Sequence, residues 1–196
     1  MTLILASNSP TRRALLGNAG LEFQVDPADI DERAAEEPLR RAGASPEDLA
    51  LALAMVKATT VGERRPGDLV IGADQILELE GERLSKPENM EAARRQLLRL
   101  SGKTHRLHAG AACARGGEIV WQHVETASLT MRPLDPGFVG RHLAEAGAAV
   151  LGSVGAYQLE GPGIQLFDRI EGDYFAILGL PLLPLFRFLR SQGILE

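Results

Sequence analysis

The chain has 196 residues, of which 45% are hydrophobic and 24% charged, enough ordinary globular material to bury a substantial core in one domain or two closely joined lobes. Its net charge of -5 argues against a broad nucleic-acid or anionic-membrane surface, which would need a basic field, and 5% aromatic content leaves little for stacking single-stranded bases. The single cysteine, Cys113, cannot form an internal disulfide, and neither a signal peptide nor an apolar run of about 18 residues is present, so the expectation is a soluble, reduced, cytoplasmic protein with no membrane partner.

Leu3-Ile4-Leu5-Ala6 is a short apolar run, followed at once by Ser7-Asn8-Ser9-Pro10-Thr11-Arg12-Arg13. Ser9 before Pro10 predicts a helix start, with serine as N-cap and proline at N1, and the helix runs through Leu15 and Leu16 towards a stop at Gly20. Arg12 and Arg13 then stand at the positive end of the helix dipole, which disfavours them by a few tenths to about 1 kcal/mol unless an anion binds there. Free N–H groups, hydroxyls and guanidinium forks suit phosphate; a solvated first turn is the alternative. Residues 22–26 alternate like a half-buried strand, and Asp29, Asp31 and Glu32 then gather three carboxylates, either a solvated turn or a Mg²⁺ site completed by a phosphate. Residues 33–44 read as a loosely packed helix or a mobile loop. Ser45-Pro46-Glu47-Asp48 opens another helix, with Leu49, Leu53 and Val56 on one face as far as about Gly62. Lys57, near its end, is either a favourable C-terminal charge or a phosphate contact.

Leu69 to Leu79 reads as a strand that starts buried and then carries Gly72-Ala73-Asp74-Gln75 where a core strand should stay apolar. A buried carboxylate that loses its partner costs on the order of 3 to 5 kcal/mol, so Asp74 is expected to face a cleft, a metal or a cationic ligand site. Gly72 and Ala73 leave room for another group to approach the backbone. Lys86, beyond a turn at Glu80-Gly81-Glu82, can bring an ammonium back to the same place. An edge strand with a solvated Asp and Lys is the plainer reading.

Pro87-Glu88 opens a helix with Met90, Ala93, Leu97 and Leu100 at helical spacing, closed by Gly102, and Arg94, Arg95 and Arg99 form its solvated face. Strands over 104–114 and 118–131 follow, joined by a hairpin at Arg115-Gly116-Gly117-Glu118. His105 and His108, three apart on a strand, fall on opposite faces and should not share a metal. A helix over 135–147 precedes the glycine-rich stretch 152–163, which reads as a loop where backbone approaches a ligand or another segment. Alternation resumes over 164–170, 171–173 is a turn, and a closing helix runs from Leu180 to Gly193.

Taken together, Leu5-Ala6-Ser7 with Ser9-Pro10 and Arg12-Arg13, Ile30-Asp31-Glu32, Lys57-Ala58, Ile71-Gly72-Ala73-Asp74, Lys86-Pro87, the run from Leu100 to His105, Gly155-Ala156-Tyr157, the run from Ile170 to Tyr174 and Gly179-Leu180-Pro181 resemble the Maf family of nucleotide pyrophosphatases. The likeness covers nearly the whole chain, and the order and spacing of these pieces make it specific. It implies an α/β fold, an elongated mixed sheet flanked by helices with two lobes around a deep cleft, in a single domain spanning 1–196. It further implies hydrolysis of a nucleoside triphosphate between the α- and β-phosphates, giving monophosphate and pyrophosphate with a divalent cation, Mg²⁺ or Mn²⁺. On this resemblance Asp74 is the proton acceptor, Glu32 and Asp74 hold the metal, Lys86 joins them in catalysis, and Ser7, Arg12, Arg13 and Lys57 bind the phosphates. Thr11, Gln75 and Glu160 occupy the specificity positions; Gln75 and Glu160 are similar to the branch acting on 7-methylguanosine triphosphate, whereas Thr11 departs from the tryptophan that branch tends to carry. A preference for thymidine or uridine triphosphate, and a nucleotide-binding regulator of septum formation without turnover, are the alternatives. The partner expected is the nucleotide, with no nucleic acid, and a homodimer is admissible.

Overall fold

Strand β3 (Leu69–Leu79) organises a seven-stranded mixed sheet in the computed structural model, which describes all 196 residues. The other strands are β1 (Leu3–Leu5), β2 (Gln24–Val25), β4 (Glu82–Leu84), β5 (Thr104–Arg115), β6 (Glu118–Met131) and β7 (Phe167–Glu171), in the order β2-β1-β3-β5-β6-β7 with β4 also against β3. β1 lies parallel to β2 and β3; every other pairing is antiparallel. On one edge of β3, β1 is registered from Leu69 to Ile71 and β4 from Leu77 to Leu79, so no strand lies beside residues 72–76. On the other edge β5 pairs without a break from Leu69 to Glu78.

The period of two along β3 sorts its side chains onto two faces. Val70, Gly72, Asp74 and Ile76 share the face covered by helix α3 (Pro46–Arg64), where Val70 clusters with Val61, and Ile76 with Leu49 and Ala50. Gly72 is the point of closest approach: a Cβ there would lie 2.1 Å from the Ala54 carbonyl oxygen, and one on Gly110 of β5 would lie 2.4 Å from that of Ala50. The room expected at Gly72 is therefore filled by a helix backbone. On the opposite face Leu69, Ile71 and Ala73 join Leu16 of α1 (Pro10–Asn18) and Leu185 and Leu189 at the chain's end. Leu77 and Leu79 enter a second cluster, with Ala93 and Leu97 of α4 (Met90–Leu100) and Val139 and Leu143 of α5 (Pro136–Ala146). The apolar core is thus divided along β3, and the change-over falls at Asp74 and Gln75.

Residues 32–41 form helix α2 (Glu32–Arg41), started by Asp31, whose side chain accepts from the Ala34 N–H at 3.0 Å. This settles the choice between helix and loop, even though Pro38 removes one main-chain donor inside the helix. α4 begins at Met90 rather than Pro87, because Asn89 supplies the stronger cap by accepting from Ala92 N at 2.9 Å. A four-residue helix α6 (Tyr174–Ile177), capped by Asp173, was not expected, since one turn leaves no periodicity to read, and α7 (Leu182–Ser191) starts two residues later than expected. The glycine-rich segment is bounded by short 3₁₀ turns at Gly147–Gly152 and Pro162–Leu166. Arg95 and Arg99 make exposed ion pairs with Glu91 and Glu82, as a solvated face should. No helix is long and apolar enough to cross a membrane.

Candidate active site

A cleft of about 1030 Å³ opens over the stretch of β3 that lacks a neighbouring strand. Into it the β1–α1 segment brings Ser7, Thr11 and Arg12, the start of α2 brings Glu32, and α3 brings Lys57. Asp74 and Gln75 come from β3 itself, Lys86 from just beyond β4, and Glu160 from the glycine-rich segment. Nine of the ten residues expected at a site from the sequence thus line one cleft. Arg13 is the exception: one helical step past Arg12 carries it around α1 to an exposed position that does not line the cleft.

Lys57 sits at the centre. Its Nζ lies 2.7 Å from Asp74 Oδ1 and 2.6 Å from Glu32 Oε1, with Lys57 and Asp74 buried and Glu32 half exposed. The local cause is the close contact over Gly72: Ala54 and Ala58 settle on the sheet, and Lys57 on the same face of α3 is brought over Asp74. Lys57 joins two carboxylates here, a partnership that neither sequence reading of it included. Asp74 Oδ1 alone is engaged by protein, which leaves Oδ2 to the cleft. Burial raises the Glu32 pKa, but the hydrogen bond and charge of Lys57, aided by Lys86 and Arg83, carry it below the ordinary carboxylate value.

The remaining cations behave differently from one another. Arg12 Nε donates to the Gly179 carbonyl at 2.8 Å and Nη1 to Ser7 Oγ at 3.2 Å. Desolvation lowers its pKa, opposed by the charges of Asp74 and Glu32, yet a guanidinium stays protonated in any accessible range. Lys86 is exposed and has no carboxylate within ion-pair distance, so its ammonium is available. Ser9 caps α1 by accepting from Arg12 N at 3.3 Å; with no N–H on Pro10 and Arg13 N bonded to the Ser9 carbonyl at 3.1 Å, Thr11 keeps the one uncommitted N–H of the first turn. A further pair, buried Glu36 of α2 with Arg83 of β4, also lines the cleft and was missed from the sequence. Its one available signal was the spacing of Glu36 four residues after Glu32, which puts both on one helix face.

At the specificity positions, Gln75 donates its amide N–H groups to the Ala176 and Ile177 carbonyls at 3.0 and 2.9 Å. Two carbonyl partners fix the amide orientation, so only the Gln75 oxygen, an acceptor, remains for a ligand. Glu160 is exposed and makes no ion pair or hydrogen bond, and Thr11 is half-buried. For a metal the site offers two carboxylates, and no group of three or more His, Cys, Asp or Glu exists. That donor set fits Mg²⁺ or Mn²⁺, because such an ion takes one or two protein carboxylates and fills its remaining positions with water and phosphate oxygens. The open oxygens are Asp74 Oδ2 and the Glu32 oxygen not held by Lys57.

Cations, paired carboxylates and the positive end of a helix in one cleft can bind a polyphosphate and deprotonate a water beside it. A family model described as Maf-like protein matches residues 2–192. A 7-methyl-GTP pyrophosphatase of Mesorhizobium japonicum is 60% identical over 194 residues, covering 99% of this chain and 98% of that protein. One of Brucella abortus is 57% identical with the same coverage, and a nucleoside triphosphate pyrophosphatase of Granulibacter bethesdensis is 50% identical over 195 residues, covering 100% of this chain and 99% of that one. With the model and these relatives both spanning nearly every residue, the cleft and the sheet that carries it included, the chain belongs to the Maf family.

Proposed function

We propose that the chain, as one domain of two lobes, hydrolyses nucleoside triphosphates between the α- and β-phosphates, with 7-methylguanosine triphosphate as the preferred substrate. The observation that carries this reading is the buried Lys57 held between Asp74 and Glu32 on the floor of a cleft that also contains an uncommitted Lys86. Lys86, Ser7 and the Thr11 N–H at the start of α1 hold the triphosphate tail, and Arg12 braces that segment against Gly179 while adding its charge. Asp74 Oδ2 takes a proton from the water that attacks the α-phosphorus; the new P–O bond forms as the bond to the bridging oxygen breaks, and pyrophosphate leaves with its charge met by Lys86 and Lys57. A divalent cation held by Glu32 and Asp74 would supply Lewis-acid neutralisation of the phosphates. Lys57 fixes the Asp74 carboxylate so that its free oxygen faces the cleft.

The base preference rests on acceptors. Glu160 without a partner and the oriented Gln75 oxygen both ask for donors, and guanine offers N1–H and the exocyclic amine, while N7 methylation adds a positive charge that an anion favours. Uracil and thymine present a single N–H between two carbonyls. The relatives named 7-methyl-GTP pyrophosphatase agree with this direction.

The test is pyrophosphate release from 7-methylguanosine, thymidine and uridine triphosphates by wild type, Asp74→Asn and Glu160→Gln. The expected result is the highest kcat/KM on the methylated purine, a fall of about 10² to 10⁴ in kcat for Asp74→Asn with binding retained, and a changed ranking for Glu160→Gln. Full activity in Asp74→Asn removes that residue from the chemistry, and a wild type that favours the pyrimidines overturns the base assignment.

A further inference from the structure

Residues 152–161 form a wall of the cleft and carry Glu160. Main-chain hydrogen bonds hold this wall to itself and to the segments that flank it: Ser153 N to Val150 O, Ala156 N to Ser153 O, Gly161 N to Gln158 O and Ile164 N to Gly161 O, each at 3.2 Å. Ala156 has φ 59, in the left-handed region that alanine enters only under constraint, and a Cβ on Gly155 would fall 2.1 Å from the Tyr157 ring. The backbone here is shaped around one buried side chain, Tyr157. Two polar ties reach from the wall to the rest of the protein: Gln96 of α4 donates to the Val154 carbonyl, and His105 Nε2 lies 2.7 Å from the Tyr157 hydroxyl.

His105 comes from β5, is 1% exposed, and has no part in the proposed chemistry. Its ring and that of Tyr157 both lie against Phe167, at 6.0 and 4.9 Å between centroids. Nδ1 of His105 is buried with no partner. One hydrogen lies between the two atoms, carried by either Nε2 or the hydroxyl, and the contact in either sense ties β5 to the wall. Burial keeps the imidazole neutral, with its pKa pushed down to about 4, so at neutral pH the ring carries a single N–H.

We propose that His105 and Tyr157 are positioning residues for base selection: their hydrogen bond sets the wall that presents Glu160 to the base, without either side chain having to touch the nucleotide. The inference rests on the substrate reading above. Tyr157→Phe removes the hydroxyl and keeps the ring. It should raise KM for 7-methylguanosine triphosphate by about fivefold, the worth of one hydrogen bond, with a much smaller change in kcat and in KM for thymidine triphosphate. In a Glu160→Gln background the same substitution should have little further effect on the ranking. His105→Gln, whose amide can donate or accept, should retain most of the preference, whereas His105→Leu should behave as Tyr157→Phe does. Limited proteolysis should cut within 152–161 faster in Tyr157→Phe than in wild type. Equal KM changes for the two nucleotides, a loss confined to kcat, full additivity with Glu160→Gln, or unchanged proteolysis would each overturn the proposal. A wild type that releases no pyrophosphate from any nucleotide defeats the substrate reading instead, and the proteolysis comparison then decides whether the anchor stands.

Discussion

Replacing Lys57 by methionine keeps the apolar stem of the side chain and deletes the ammonium shared by Asp74 and Glu32. Their oxygens lie 2.6 and 2.7 Å from one nitrogen, hence no more than about 5 Å from each other, and at an effective dielectric of about 20 they repel by roughly 3 kcal/mol. Stripping a buried ion of its partner costs about 3 to 5 kcal/mol, which is the same loss reached by another route. Glu32 is half exposed, so solvent screens its share and the lower end applies. We therefore expect Lys57→Met to lose about 3 kcal/mol, seen as a fall in Tm of roughly 6 to 12 °C for a chain of this size. In Asp74→Asn, where no buried anion needs the ammonium, the same substitution should cost about 1 kcal/mol or less. Urea titrations of the four proteins of this cycle measure the coupling directly. An equal loss in both backgrounds, or a Lys57→Met protein within about 0.5 kcal/mol of wild type, would refute the claim that Lys57 is the structural counter-ion of Asp74.

Lys86→Ala should raise KM similarly for every nucleoside triphosphate, because its charge meets phosphate rather than base, while Arg13→Ala, outside the cleft, should leave kcat and KM within about twofold in the same pyrophosphate assay. Gly72→Ala forces a methyl against the Ala54 carbonyl, so thermal melts should show a loss of about 3 kcal/mol or more, with activity falling as Lys57 is lifted from Asp74. Acid should weaken the fold through His105: its folded pKa of about 4 lies below the value of about 6.5 in the unfolded chain, so the unfolded state takes up the proton first as pH falls. The stability is full above about pH 6.5 and declines by roughly 3 kcal/mol by about pH 4, a slope that His105→Gln should flatten in urea titrations. Asp26, with its pKa held low by the hydrogen bonds of Arg64 and Arg65, acts only at more acid pH.

The strands and most helices were legible because each carries a local signal: alternation over 118–131, the capping residues Ser9, Ser45 and Asp135, the glycines of the hairpin at 116 and 117. Asp74 stood out because a carboxylate is costly in an apolar strand. What the sequence could not supply was contact across distance. Lys57 meets Asp74, seventeen residues away, because Gly72 and Gly110 on neighbouring strands let α3 settle on the sheet, and no local pattern around either partner reveals that helix–sheet contact. Arg12 and Arg13 are adjacent and chemically alike, so only the phase of α1 against the sheet separates a cleft residue from an exposed one. Gln75 reads as a base contact in the chain, but its amide is taken by carbonyls a hundred residues away.

The missing neighbour beside residues 72–76 also bears on how the cleft can change its width. β3 and β5 run unbroken through both apolar clusters, so the two halves cannot swing about a flexible loop; any relative movement has to flex a β-ribbon. At the gap, flexing breaks no ladder bond on the open edge, since none is made there, and the ribbon is most compliant at that point. Lys57 and Asp74 sit on the helix–sheet contact at this same place, so they would move as a unit and keep their 2.7 Å contact while the walls carrying Glu160 and Lys86 shift relative to them. Amide exchange should register that motion as slowed exchange in β4 and in residues 152–161 when nucleotide is added, with the β3–β5 ladder protected throughout.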